Sequence, residues 1–175
     1  PEDYMVIMDT VLVGATTYSL RNPITVSPEV HLLWCCNNKG TIRRDIVVYS
    51  YPYTDENTFT LDYLNAKRDE VLSRVVSASV EGSYMGTEYK VFPPQIRAIT
   101  VQEDEYATEV RGLWKILDGE AMGGPYVSHT RLDQVNGRVV SVETFLYAAG
   151  QKKRTALRQA EAILYTLQLP QDSVK

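Results

Sequence analysis

The tripeptide Val135-Asn136-Gly137 sits between two runs of strand-like alternation, residues 126–134 and 138–148, and it constrains the fold more than any other stretch. Asn-Gly between β-type runs signals a hairpin, because both residues tolerate the left-handed backbone that a tight reversal requires. Two neighbouring antiparallel strands follow, and their register decides which side chains meet. A two-residue Asn-Gly turn would set Leu132 opposite Ser141, Arg131 opposite Val142 and Ser128 opposite Phe145, mixing polar and apolar groups on both faces. A three-residue Val-Asn-Gly loop, with Gly137 left-handed, would pair Leu132 with Val140, Thr130 with Val142 and Tyr126 with Leu146. Its second face would hold Arg131 with Ser141 and His129 with Glu143. Because a one-residue slip sends every side chain to the other side of the sheet, the pattern favours the three-residue loop, which sorts the faces.

That hairpin bears on the stretch that most resembles chemistry, "MGGPYVSHTR" at residues 122–131, which holds one of the chain's two histidines. Alternation along a strand sends Ser128 and His129 to opposite sides of the sheet, so no Ser-His pair can form within it. Gly123-Gly124-Pro125 matches no phosphate-binding pattern and suits a turn into a strand. His129 opposite Glu143 would be a candidate acid-base pair, since a neighbouring carboxylate holds an imidazolium. The plainer alternative is a cross-strand charge pair worth about 0.2–1 kcal/mol on an open sheet face. In that alternative His129, Arg131 and Glu143 join Glu109, Arg111 and Lys115 in a polar contact patch.

Residues 106–117 read as a further strand, with Tyr106, Thr108, Val110, Trp114 and Ile116 toward a core and Glu109, Arg111 and Lys115 toward water. Gly112 in its middle implies a bulge or a close neighbour. Residues 4–14, 30–36, 87–92 and 96–101 also read as strands. "DIVVYSY" at 45–51 is apolar on both alternating faces, as a central strand is. Thr60 can cap a helix whose apolar stripe is Leu61, Leu64, Val71, Leu72 and Val75, with Lys67, Arg68, Asp69 and Glu70 read as its solvated face. A second helix over 153–169 carries Ala156, Leu157, Ala160, Ile163, Leu164 and Leu167 along one side and stops at Pro170. The acidic turn at 102–106 lacks the spacing of a calcium loop. The series implies one α+β domain over 1–175, an antiparallel sheet (meander) with two main helices packed on one face.

Eighteen Lys and Arg against 22 Asp and Glu give a net charge of -4, and no basic stripe is present to track a nucleic-acid backbone. No run approaches the roughly 20 apolar residues of a membrane helix. The start at Pro1 implies processing or an upstream leader, so no signal can be read. Cys35 and Cys36 are adjacent and suit strand packing rather than a disulfide framework, and His31 and His129 are too scattered for a spaced metal motif. No cofactor or metal is implied.

Three segments together, "NNKGTIRRDIVVYSYPYTDENTFTLDYLNAKRDEVL", "RGLWKILDGEAMGGPYVSHTRLD" and "LRQAEAILYTLQLP", resemble a family of uncharacterised lipoproteins of Bacteroidetes, over about residues 38–170. The resemblance implies a secreted cell-envelope protein with a lipid-anchored N-terminus. It makes this chain the C-terminal part of a longer lipoprotein, with residues 1–37 the least fixed, and it carries no assigned activity and no catalytic residue. On this reading the expected function is non-catalytic: contact with another envelope protein, as an accessory subunit of an outer-membrane assembly, with the membrane reached only through the lipid anchor. Twelve tyrosines, among them Tyr49, Tyr51 and Tyr53, suit half-wet contact surfaces. Two alternatives stand beside it: a glycan or small-ligand binding module using such tyrosines, and a hydrolase using His129 and Glu143 with Arg131 or Arg111 holding an anionic substrate.

Overall fold

A computed structural model describes residues 5–8, 28–38, 42–73, 85–87, 95–98, 107–117, 123–147 and 152–169. The predicted acidic turn at 102–106, the strand residues 88–92 and Val75 lie outside these residues. The described strands are β1 (Met5–Met8), β2 (Glu29–Asn38), β3 (Ile42–Pro52), β4 (Met85–Thr87), β5 (Gln95–Ala98), β6 (Ala107–Ile116), β7 (Gly123–Asp133) and β8 (Arg138–Tyr147). The helices are α1 (Leu61–Val71) and α2 (Arg154–Leu164), with a 3-10 turn over Glu56–Phe59 before α1.

All the described strands join one antiparallel sheet in the order β1-β2-β3-β8-β7-β6-β4, and β5 pairs with β6. The expected α+β architecture is therefore present. β4 pairs with Trp114–Ile116 and β5 with Thr108–Arg111, so the two short strands share one edge of β6. The sequence run that was apolar on both sides becomes β3, lying between β2 and β8 with both of its faces covered.

The start of α1 is fixed by short-range chemistry. Asp55 accepts from the Asn57 amide at 2.9 Å and begins the 3-10 turn. Thr60 then accepts from the Tyr63 amide at 3.4 Å, and Asp62 places negative charge at the positive helix end.

The two helices lie on opposite faces of the sheet, which corrects the expectation that both pack on one. Leu64 and Val71 of α1, with Leu72 at its C-cap, share a core with Val47, Tyr49, Tyr51, Val110, Trp114, Tyr126, Val139 and Phe145, which occupy one parity of the paired strands. Leu164 of α2 packs with Ile46, Val127 and Val142, of the other parity. The physical reason is visible in β3, β7 and β8: each carries apolar side chains on both faces, and each face needs a cover to leave water.

Candidate functional site

The β7–β8 hairpin closes with Asp133 opposite Arg138, a four-residue loop instead of the three-residue loop the sequence favoured. Asp133 explains the difference. Its carboxylate accepts from the Asn136 amide at 3.0 Å and from Asn136 Nδ2 at 2.8 Å, so the turn is built around an acid outside the Asn-Gly pair. Gly137 is left-handed as expected, with φ of 60°. The slip moves every facing pair. Ser128 lies opposite Glu143 and His129 opposite Val142, so His129 and Glu143 are on opposite faces and cannot exchange a proton as a cross-strand pair.

Glu143 instead enters a buried polar centre beneath α1. Its Oε1 accepts from Arg68 Nε at 2.9 Å and from the Tyr49 hydroxyl at 3.0 Å. Arg68 Nη1 donates to Asn65 Oδ1 at 2.6 Å and to the Tyr126 hydroxyl at 3.3 Å, and the guanidinium lies 4.6 Å from the centre of the Tyr126 ring. That ring occupies the space where a side chain on Gly112 would be: a Cβ there would stand 2.5 Å from Tyr126 Cε1. The close neighbour anticipated above Gly112 is thus Tyr126, and the β6–β7 pairing runs past it without a bulge. Arg68 is 0% and Glu143 1% exposed. Arg68 Nη2 and Glu143 Oε2 have no hydrogen-bond partner.

The electrostatics agree with a fixed pair. Burial works against the charge of Arg68, but Glu143, Tyr126 and Tyr49 more than offset it and raise the guanidinium above its ordinary pKa. Burial first, and then the Glu143 charge, push the Tyr49 hydroxyl well up, so it donates and does not ionise. Beside this centre Thr130 and Ser141 hydroxyls meet at 2.8 Å, with Ser128 3.4 Å from Thr130.

Arg68 departs from the expectation that "KRDE" forms a solvated face. Lys67 is also buried, paired with Glu70 at 3.2 Å and 5.3 Å from the Tyr63 ring centre. The signal was available: Arg68 falls four residues after Leu64 and three before Val71, in the middle of the apolar stripe.

The expected wet patch lies on the other face, and α2 covers it. Glu109, His129 and Arg131 are buried, Arg111 is half-buried and Lys115 is exposed. Arg111 Nε donates to Glu109 Oε1 at 2.6 Å and its Nη1 pairs with Glu161 of α2. Glu109 also accepts from the Tyr165 hydroxyl. Apart from exposed Lys115, the proposed patch is therefore a seam between sheet and helix and not an open surface, and Glu143 does not belong to it. The tyrosine surface is also corrected. Tyr49 and Tyr51 are buried, Tyr51 donating to the Thr58 carbonyl at 3.0 Å, and only Tyr53 remains half-buried at the strand end.

A Ser-His contact exists elsewhere in the sheet, outside the strand in which alternation excludes one. The β2–β3 register shifts between Val30 and Leu32, and His31, at that irregularity, sets Nε2 2.6 Å from Ser50 Oγ. Arg138 Nε donates to the same hydroxyl at 2.9 Å and its Nη2 reaches Glu29 at 2.8 Å. Burial and then Arg138 hold the imidazole below its ordinary pKa, against Glu29. Ser50 is 1% exposed, so its hydroxyl is enclosed by the groups that hold it. Among the described residues no three His, Cys, Asp or Glu side chains are grouped to hold a metal ion, and no helix is long and apolar enough to cross a membrane.

Fold and site together define an α+β domain whose ionisable residues bind its helices to the two faces of its sheet. The profile of the domain of unknown function DUF4837 matches residues 16–166, and the chain belongs to that family. No curated protein and no solved structure matches the chain.

Proposed function

We propose that this chain is a non-catalytic contact domain of the bacterial cell envelope, lipid-tethered in its full-length form, that acts through protein–protein contacts as an accessory subunit of an outer-membrane assembly. The observation that carries the non-catalytic reading is the closure of the carboxylates. Glu143 is held by Arg68 and Tyr49 and sealed from water, and Glu109 is held by Arg111 and Tyr165. A carboxylate already committed to two donors, one of them an arginine, is a poor general base.

The contact surface moves from the sheet face to the tip of the β7–β8 hairpin. Val135 is 64% exposed there, on a turn fixed by Asp133 and tied to the end of β3 by the Tyr53 amide, which donates to the Gly137 carbonyl at 2.9 Å. An ordered tip loses little conformational freedom on binding. Placement in the envelope is supported by the likeness of residues 38–170 to Bacteroidetes lipoproteins.

The test is affinity isolation of the full-length protein from its own envelope, with Val135→Glu in parallel. The expected result is one stoichiometric partner that the variant loses. A monomer in every fraction, or equal capture by both proteins, would sink the contact reading. Absence of radiolabelled palmitate from the full-length protein in growing cells would remove the tether.

A further inference from the structure

We propose that His129 is an acid-sensitive latch that holds the C-terminal end of α2 against the sheet and releases it on protonation. His129 lies on β7, 8% exposed, with its ring centre 5.7 Å from that of Tyr165 just beyond α2. Neither ring nitrogen makes a hydrogen bond of ordinary geometry. A neutral imidazole tolerates such a place poorly and an imidazolium worse, because the Leu164 backbone and Glu109 return only part of the hydration that a buried charge loses.

The groups facing the ring decide whether protonation could be absorbed in place. From β6 come Glu109 and Arg111, from α2 and its end Glu161 and Tyr165, and from β7 itself Arg131. From β8 the facing residues are Val140 and Val142, which carry no charge. Glu109 is the natural partner for an imidazolium, but its two oxygens are already engaged, one by Arg111 and the other by the Tyr165 hydroxyl. Burial lowers the pKa of His129, while the Leu164 backbone and Glu109 work the other way without overturning that direction. A proton on His129 therefore finds its solvation by lifting the turn that carries Leu164 and Tyr165. That movement gives up the Tyr165–Glu109 bond and the packing of Leu164 on Ile46, Val127 and Val142.

The sign follows from linkage. The opened state takes up a proton at the ordinary histidine pKa of 6.5, above that of the docked state, so docking is strongest above this value and weakens as pH falls below it. The opening equilibrium therefore grows as pH falls through that value.

Two measurements on the intact chain test the latch. The first is the ring titration of His129 by NMR, which needs no variant. The second is amide-exchange protection of residues 154–164, corrected for intrinsic rates, from about pH 7.5 to about pH 5 in wild type, His129→Phe and His129→Gln. A ring pKa below 6.5, with α2 protection lost on acidification relative to β7 and β8 in wild type only, supports the proposal. A ring pKa at or above 6.5 overturns it, as does an equal acid loss of α2 protection in whichever variant folds.

Discussion

At the scale of single residues, the centre under α1 shows that a buried ion pair is more exacting than an apolar contact. Arg68 and Glu143 hold each other at 2.9 Å with almost no exposure to water. Arg68→Met leaves the carboxylate buried without its counter-charge, and the expected loss in urea unfolding is about 3–5 kcal/mol. Arg68→Met with Glu143→Leu removes both charges and should recover much of that loss; equal instability of the single and double variants would mean the pair is not the cause. Gly112 tests the same centre from the sheet side. Gly112→Ala drives a methyl group into Tyr126, displacing the ring on which Arg68 lies, for an expected loss of about 1–3 kcal/mol. In a Tyr126→Ala background the same substitution should be nearly neutral, and additivity of the two changes would contradict the contact. None of this was read from "NAKRDEV", although position 68 lies on the apolar stripe of its helix. Its residue type points to water where its periodicity points to the core, and the rule that arginine is seldom fully buried without a partner says nothing of a partner 75 residues away.

At the scale of elements, existence was legible and facing was not. The hairpin, the central strand β3, the strand β6, the Thr60 cap and both helices could be read because each rests on local periodicity and turn chemistry. The register could not, because it depends on Asp133, two residues before the Val135-Asn136-Gly137 loop, and on sorting rules that fail where hydroxyls pair across strands. The observed parity is that of the two-residue turn, which mixes polar and apolar residues on both faces. That mixture is stable because Ser128, Thr130 and Ser141 meet one another on one face while Glu143 meets Arg68. Asp133→Ala removes both bonds to Asn136 and should lower stability by about 1–2 kcal/mol. The loss should concentrate in faster amide exchange at the β7–β8 tip. Unchanged exchange there would show that Gly137 and strand pairing fix the loop without the carboxylate.

At the scale of the whole molecule, the two faces divide the chain's response to pH. Both histidines act on the α2 face or its extension over β2 and β3: His129 beneath α2, and His31 on Ser50 beside Arg138. Each has a depressed folded-state pKa, so the unfolded chain binds the extra proton, and their contribution is fully present above pH 6.5 and lost as pH falls. The α1 face carries Tyr49, Tyr51 and Tyr126, whose pKa values are all raised, chiefly by burial. For these acids the sign reverses at the other end of the scale. The unfolded tyrosines ionise at about pH 10, and the stability of keeping them neutral is present below that value and lost above it. Urea midpoints should therefore form a plateau with an acid arm below 6.5 and an alkaline arm above about 10. His31→Gln with His129→Gln should flatten the acid arm between about pH 7 and 5 and leave the alkaline one in place. Tyrosinate absorbance should rise together with unfolding on the alkaline arm, since rings sealed beneath α1 ionise only when that face opens. Absorbance rising well before unfolding would place those hydroxyls in water, and an acid arm surviving loss of both histidines would assign it to the carboxylates instead.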